Sequence, residues 1–308
     1  MEKKSSAINL RVQKRINSDI QELGSNLKEL NENGIYWHID EDNLREIFIV
    51  ITGQEGTPYA NAPFFFKFTY PENYPLVPPE GKFCTSDGET RFNPNLYVEG
   101  KICLSILGTW SGPSWTPVMT MKTIIMSIIA LVMSSEPLKN EPGWENASKQ
   151  DIDEYNDVVE FRSLKVGIID QLTNCQLCFR PMYEQMVERF KMDFMKIMER
   201  IERNLEKFKN PVVIKPRYGR QSKIDYASLK TEMIELGKRL GASLPEPEPE
   251  PEPEPKQEQI TTISVQPLII PTKMSASGYE LGLEVEYKGV NYKVQEFKSG
   301  KKYWKKLN

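Results

Sequence analysis

The sequence predicts an α+β fold: an N-terminal helix, an antiparallel β-meander and C-terminal helices, followed by a helical extension and a small C-terminal β module. Two sequence patterns predict it. Ile16, Ile20, Leu23, Leu27 and Leu30 recur at alternating spacings of four and three, the stripe of a one-faced amphipathic helix that ends near Asn33-Gly34. Leu44 to Gly53, Phe64 to Tyr70 and Gly81 to Thr85 are short β-prone runs separated by turn residues, the pattern of a meander.

Each element follows from its residues. The segment GIYWHID, which holds the lone His38, reads as the start of the first strand. Phe64, Phe65 and Phe66 are expected to fill core and sheet faces. Met121 to Met133 is long enough for a central buried helix and too short to span a bilayer. From Pro181 to Lys209, Met186, Phe190, Phe194, Ile197, Ile201, Leu205 and Phe208 repeat at four and three, predicting a second amphipathic helix. Its apolar stripe is read as a core face packed on the preceding domain, with an adaptable methionine-rich docking groove as the alternative. Leu244 to Pro255 alternates proline and glutamate. Proline removes donors and the acids repel, so this is read as a polyproline spacer reaching roughly 30 to 35 Å at ~3.1 Å per residue.

Beyond the spacer, Gly282 to Leu307 alternates with period two, with turns at Lys288-Gly289 and Ser299-Gly300, and predicts a three-stranded meander that is marginal alone. Tyr287, Tyr292, Tyr303 and Trp304 among its lysines suit either cross-strand pairing or contact with an acidic partner. The domains so read are 1–154 catalytic, 155–243 helical extension, 244–259 linker and 260–308 β module.

Composition narrows the function. Lys+Arg 40 against Asp+Glu 43 leaves a net charge of −3, which gives no reason to expect bulk nucleic-acid binding. Met1 to Ser6 is polar and basic, so neither a secretory signal nor a membrane segment is expected. Four cysteines without a signal point to a reducing compartment, cytosol or nucleus. Cys175 and Cys178 form one C-x-x-C pair with no second pair or suitable histidine, a poor zinc signal, and are read as structural or incidental.

The chemistry concentrates between Arg91 and Leu107, RFNPNLYVEGKICLSIL. An Asn-Pro-Asn turn precedes Cys103, an arrangement expected of a thiol that large partners must reach. Peptide hydrolysis by cysteine usually needs an adjacent histidine, and the only one is His38. Thioester exchange asks less, because the acyl group is already activated and a thiolate leaves. Asn95 is positioned to supply an amide donor where an oxyanion develops.

Tyr70-Pro71-Glu72-Asn73-Tyr74-Pro75-Leu76-Val77-Pro78-Pro79, then Asn93-Pro94-Asn95, then Cys103-Leu104-Ser105-Ile106-Leu107, then Trp115-Thr116-Pro117, occur in that order. This succession resembles the ubiquitin-conjugating enzyme family, over roughly Ile8 to Asn146. RFNPNLY, GKICLSILGTWSGPSW and NEPGWE are similar to the Z-type conjugating enzymes and to the conjugating domain of the giant inhibitor-of-apoptosis proteins. The stretch from Tyr155-Asn156 through Ile224-Asp225-Tyr226 resembles the Z-type helical extension.

The resemblance implies the ubiquitin-conjugating fold, with ubiquitin held as a thioester on Cys103. Asn95 would order the active-site loop and stabilise the oxyanion, and Glu141 would orient the incoming lysine. Arg11, Lys14 and Arg15 would meet the activating enzyme, while Leu76, Thr116 and Pro117 would bind partners including a RING-type ligase. Protein lysines would be the acceptors. No cofactor is expected, since ATP is used by the upstream activating enzyme.

Three departures matter. Asn93 stands where most members have histidine, Leu76 where ligase-docking members often have phenylalanine, and Gly108 to Ser114 lengthens the flank of the cysteine. A non-catalytic adaptor of the same fold and a conjugating enzyme for another ubiquitin-like modifier are the alternative readings.

Overall fold

Helix α1 (Leu10–Ser25) buries Val12, Ile16, Asp19 and Leu23. The computed structural model describes residues 10–40, 43–243, 276–278, 280–287 and 290–307. Residues 1–9, the Pro-Glu tract and the Lys288-Gly289 turn lie outside the described residues.

The helix predicted to run on to Asn33 breaks at Asn26. There one backbone N–H is shared between the carbonyls of Glu22 and Leu23, each at 3.2 Å, and the side-chain amide donates to Glu22 O at 2.7 Å. The short α2 (Leu27–Glu32) that follows is out of phase with the stripe. Leu27 is therefore 43% exposed, although Leu30 is buried. Gly34, at φ +70°, turns the chain into the sheet.

Strands β1 (Ile35–Ile39), β2 (Glu46–Thr52), β3 (Pro63–Thr69) and β4 (Glu80–Phe83) pair in sequence order, all antiparallel. Ile51 lies opposite Phe64 and Val50 opposite Phe65. Alternation therefore puts Ile47, Ile49, Ile51, Phe64, Phe66 and Phe68 on one face, and Phe48, Val50 and Phe65 on the other. All are buried. On the first face Phe64 meets Phe92 edge-on at 5.4 Å and Phe66 meets Phe83 at 5.4 Å. On the second, Phe179 stacks on Phe65 at 4.3 Å and meets Phe48 edge-on at 5.5 Å. Phe179 belongs to the helical extension, which is why these strands read as nearly unbroken apolar runs: both faces are covered.

Helix α3 (Met121–Ser127) opens with a capping box of Thr120 and Thr123 and continues as a π-helical turn, Ile128–Val132. Ile124, Ile125 and Ile128 are fully buried, but Met126 and Leu131 are exposed, so this segment is buried on one side and not all round as its composition predicts. Helix α4 (Lys149–Arg162), N-capped by Ser148 accepting from the Asp151 N–H, runs into a π-helical stretch (Ser163–Asp170) and the single turn α5 (Gln171–Thr173). The expected boundary at 154/155 falls inside α4, and no break separates catalytic domain from extension: Met1–Glu246 is one compact unit.

Helix α6 (Tyr183–Lys207) carries the predicted stripe, with Met186, Phe190, Phe194, Ile197 and Ile201 buried and Leu205 half-buried. Arg189 donates to Glu32 O and Arg200 to Ala60 O, tying it to the domain as the core-face reading expected. The hairpin β5 (Val212–Ile214) and β6 (Ser222–Ile224) leads to α7 (Tyr226–Leu240), which packs on α6.

The second unit, Pro247–Asn308, contains the three-stranded sheet of β7 (Glu284–Tyr287), β8 (Val290–Glu296) and β9 (Lys302–Lys306). Val294, opposite Trp304, is buried with Ala276, and Phe297 stacks on Tyr303 at 4.1 Å. Part of the aromatic content is thus spent on packing this small sheet. Among the described residues no helix is long and apolar enough to cross a membrane.

Candidate active site

The turn ahead of Cys103 is built by side-chain amides. Asn95 N donates to Asn93 Oδ1 at 2.8 Å, closing the Asn-Pro-Asn turn on itself. Asn93, fully buried, donates through Nδ2 to Val132 O at 2.6 Å and to the Tyr59 hydroxyl at 3.0 Å. Tyr59 in turn donates to Phe92 O at 2.8 Å, and burial raises its phenol's pKa, so it keeps its proton. These bonds occupy the place of the more common histidine. An amide can donate and accept at once without titrating, and Asn93 does both.

Cys103 is joined to this turn twice. Its N–H donates to Asn95 O at 2.8 Å, and its carbonyl accepts from Asn95 Nδ2 at 2.6 Å. That second bond fixes which way the amide faces, since only nitrogen can donate to a carbonyl. Asn95 Oδ1 is left buried without a donor among the described residues. On the far side, Thr109 Oγ1 donates to Ile102 O at 2.6 Å and accepts from Leu104 N at 2.9 Å, holding the chain that leaves the cysteine. Thr109 and Tyr59 were not legible as site residues, because their role is to bond backbone that is distant from them or folded back.

The expectation of a readily reached thiol is corrected. Cys103 is 1% exposed. Both its backbone polar groups are engaged, and its neighbours Ile102 and Leu104 are buried with it. His38 lies in β1 opposite Phe48, and no imidazole is hydrogen-bonded to the thiol among the described residues.

Glu141 is connected to the same turn through its neighbour: Asn140 Nδ2 donates to Leu131 O at 2.9 Å and reaches Asn93 Oδ1 at 3.4 Å. The Glu141 carboxylate is half-buried and accepts from the Tyr218 hydroxyl at 2.9 Å. Tyr155 OH donates to Arg91 O at 3.0 Å, and Arg91 donates to Pro94 O at 2.6 Å. The extension therefore reaches the site by two routes.

The residues predicted to meet partners divide. Arg11 and Lys14 are exposed on α1, as are Leu76 (75%), Thr116 and Pro117 in their loops. Val118, 83% exposed, joins them and was not singled out in the sequence. Arg15 is corrected: it is not an available surface cation. It pairs with Asp19 at 3.0 Å and donates to Pro117 O at 2.8 Å and Met119 O at 2.6 Å, with its guanidinium 5.5 Å from the Tyr74 ring. Asp19, only 1% exposed, also accepts from the Tyr74 hydroxyl and from Met121 N at 3.3 Å. Burial pushes its carboxyl up against the pull of these donors. Trp115 Nε1 donates to Pro75 O at 2.7 Å, so both loops are tied together and to α1.

Cys84, Cys175 and Cys178 are free thiols. Burial pushes Cys84 and Cys175 up to about 11 and raises Cys178 as well, which makes poor nucleophiles of them near neutrality.

The family model described as ubiquitin-conjugating enzyme matches residues 15–163. "Ubiquitin-conjugating enzyme E2 Z" of Danio rerio is 32% identical over 214 residues, 69% of this chain and 65% of that protein. The human protein of the same name is 37% identical over 159 residues, 51% of this chain and 45% of its own length. "Dual E2 ubiquitin-conjugating enzyme/E3 ubiquitin-protein ligase BIRC6" of Homo sapiens is 29% identical over 237 residues, 74% of this chain and 5% of that protein. The chain thus spans a little under two thirds of the fish relative's length and less of the others.

Proposed function

Because the chain belongs to the ubiquitin-conjugating enzyme family, we propose that it accepts ubiquitin from an activating enzyme as a thioester on Cys103 and passes it to a protein lysine, directly or with a ligase. The observation that carries this reading is the two-way bonding of Cys103 to Asn95, on a turn that also reaches the residue beside Glu141.

In charging, the Cys103 thiolate attacks the activating enzyme's thioester and the other cysteine leaves as thiolate. In discharge, the lysine nitrogen attacks the carbonyl carbon, an oxyanion forms and collapses, the C–S bond breaks and Cys103 leaves as thiolate. The ammonium proton passes to a base, a role assigned to Glu141, whose neighbour Asn140 reaches the Asn-Pro-Asn turn. Asn95 holds the Cys103 backbone, and its amide is the donor assigned to the oxyanion of the discharge step. Since Cys103 is covered in the resting chain, each exchange begins with displacement of that cover. The energy enters upstream, as ATP used by the activating enzyme. Arg11, Lys14, Leu76, Thr116 and Pro117 are exposed, and they are the residues proposed to meet the activating enzyme and a ligase.

Incubation with ubiquitin, ATP and candidate activating enzymes, followed by a non-reducing gel, tests the reading. A modifier-sized shift is expected that reductant removes and Cys103→Ala lacks. No shift from folded protein with any activating enzyme would instead support an adaptor or a different modifier.

A further inference from the structure

The segment between β5 and β6 lies outside residues 15–163, yet it delivers a side chain to the Glu141 carboxylate. Tyr218 is half-buried, and its hydroxyl donates to Glu141 Oε2 at 2.9 Å. Its ring is held on several sides. It meets Tyr155 at 5.8 Å and Trp144 edge-on at 6.1 Å, and the Arg91 guanidinium sits 5.6 Å from its centroid. Arg217, next in the chain, lies 5.6 Å from the Trp144 ring and bridges to Asp151 at 3.4 Å, pinning the segment to α4. Burial, with the Glu141 bond adding to it, raises the Tyr218 phenol's pKa, so it stays a donor throughout the neutral range.

A glutamate on a surface loop ordinarily samples several rotamers, and a base that must meet an ammonium in one geometry loses rate to that freedom. We propose that Tyr218 is a positioning residue for transfer to lysine: by holding Glu141 Oε2 it presents Oε1 to the incoming amine. The role rests on the transfer proposed above. As the C–N bond forms and the C–S bond breaks, Cys103 leaves as thiolate and the ammonium proton passes to Oε1 and then to water. The acceptor side of the site is therefore shared between the conjugating domain and its extension, and the extension acts on acceptor use and not on charging.

The test uses the full chain charged with ubiquitin, the activating enzyme then being stopped and free lysine added. Tyr218→Phe keeps the ring and removes the hydroxyl. Charging should match wild type, while discharge to lysine should fall about three- to tenfold, the factor that one net hydrogen bond is worth. Discharge to hydroxylamine, which arrives neutral and whose weakly basic nitrogen sheds its proton to water more easily after attack, should fall less than discharge to lysine. In a Glu141→Gln background, Tyr218→Phe should add nothing further. A Tyr218→Phe chain that discharges to lysine at the wild-type rate overturns the role, as does an equal loss with hydroxylamine or an undiminished effect in Glu141→Gln. A wild-type chain that never charges overturns the transfer reading and this role with it. A chain that charges normally, with Tyr218→Phe indistinguishable from wild type, removes only the role.

Discussion

Asn95 has two tasks that its side chain performs with one group. Its Nδ2 is committed to the Cys103 carbonyl at 2.6 Å, and the same amide is the donor proposed for the oxyanion of the transfer. The two tasks separate experimentally. Both steps form an oxyanion, but charging only exchanges one thiolate for another, whereas discharge through an amine leans more heavily on the donor that meets the oxyanion. Asn95→Ala should therefore leave thioester formation largely intact and slow discharge to lysine by about 10²-fold, within the range for one lost oxyanion donor. Single-turnover rates for each step, measured on the same preparation, check this. Equal loss in both steps would reduce Asn95 to a scaffold residue. Asn93 is different in kind: fully buried and bonded to Val132, Tyr59 and Asn95, it holds the turn.

Among the elements, the contact of α6 with α7 sets how the extension can pack. A Cβ built on Gly237 would lie 2.6 Å from Phe194 Cζ and 2.7 Å from Cε2. Phe194 is fully buried and packed against Phe190 at 5.3 Å, so its ring has nowhere to move. Alanine in a helix normally gains about 1 kcal/mol over glycine, but overpacking a tight core costs about 1–3 kcal/mol. The clash should win, and Gly237→Ala should destabilise the first unit by up to about 2 kcal/mol, read as a lower midpoint in urea at unchanged slope. A stabilised variant would mean that the helices separate more easily than this packing allows. The bonds among Arg15, Asp19 and Tyr74 work at the same scale, fastening the 115–119 loop to α1 through backbone carbonyls. The end of the molecule expected to dock partners is thereby braced from within by a residue whose charge had suggested a surface role.

For the whole molecule, the division into Met1–Glu246 and Pro247–Asn308 separates a large core from a small one. The first unit holds both faces of the four-stranded sheet, the site and the extension that covers and contacts them. The second buries little beyond Val294 and Ala276 among its described residues, as expected of a sheet near the lower limit of independent stability. Removing residues 256–308 should leave both the charging rate and the thermal midpoint of the first unit unchanged. A truncated chain that charges slowly would give the β module a part in the reaction itself.

The sequence alone specified much of this protein. Short β-prone runs between turn residues placed the strands of the main sheet, four-and-three spacing placed α6, and the order of the Asn-Pro-Asn turn, Cys103 and Trp115-Thr116-Pro117 pointed to the candidate site and to the family. These signals are local, and a local signal survives in one dimension. Other features depended on packing between distant segments. Asn26 breaks the first helix through side-chain and bifurcated backbone bonds that hydrophobic spacing does not register. Arg15 looks like a surface cation until the carbonyls of Pro117 and Met119, a hundred residues away, claim it. The contact of Tyr218 with Glu141 likewise exists only once the extension is folded against the conjugating domain, and the burial of Cys103 only once the chain around it is folded. Periodicity and motif order fix which residues can do chemistry. Which of their atoms remain free to do it is decided by partners that the chain brings together only in three dimensions.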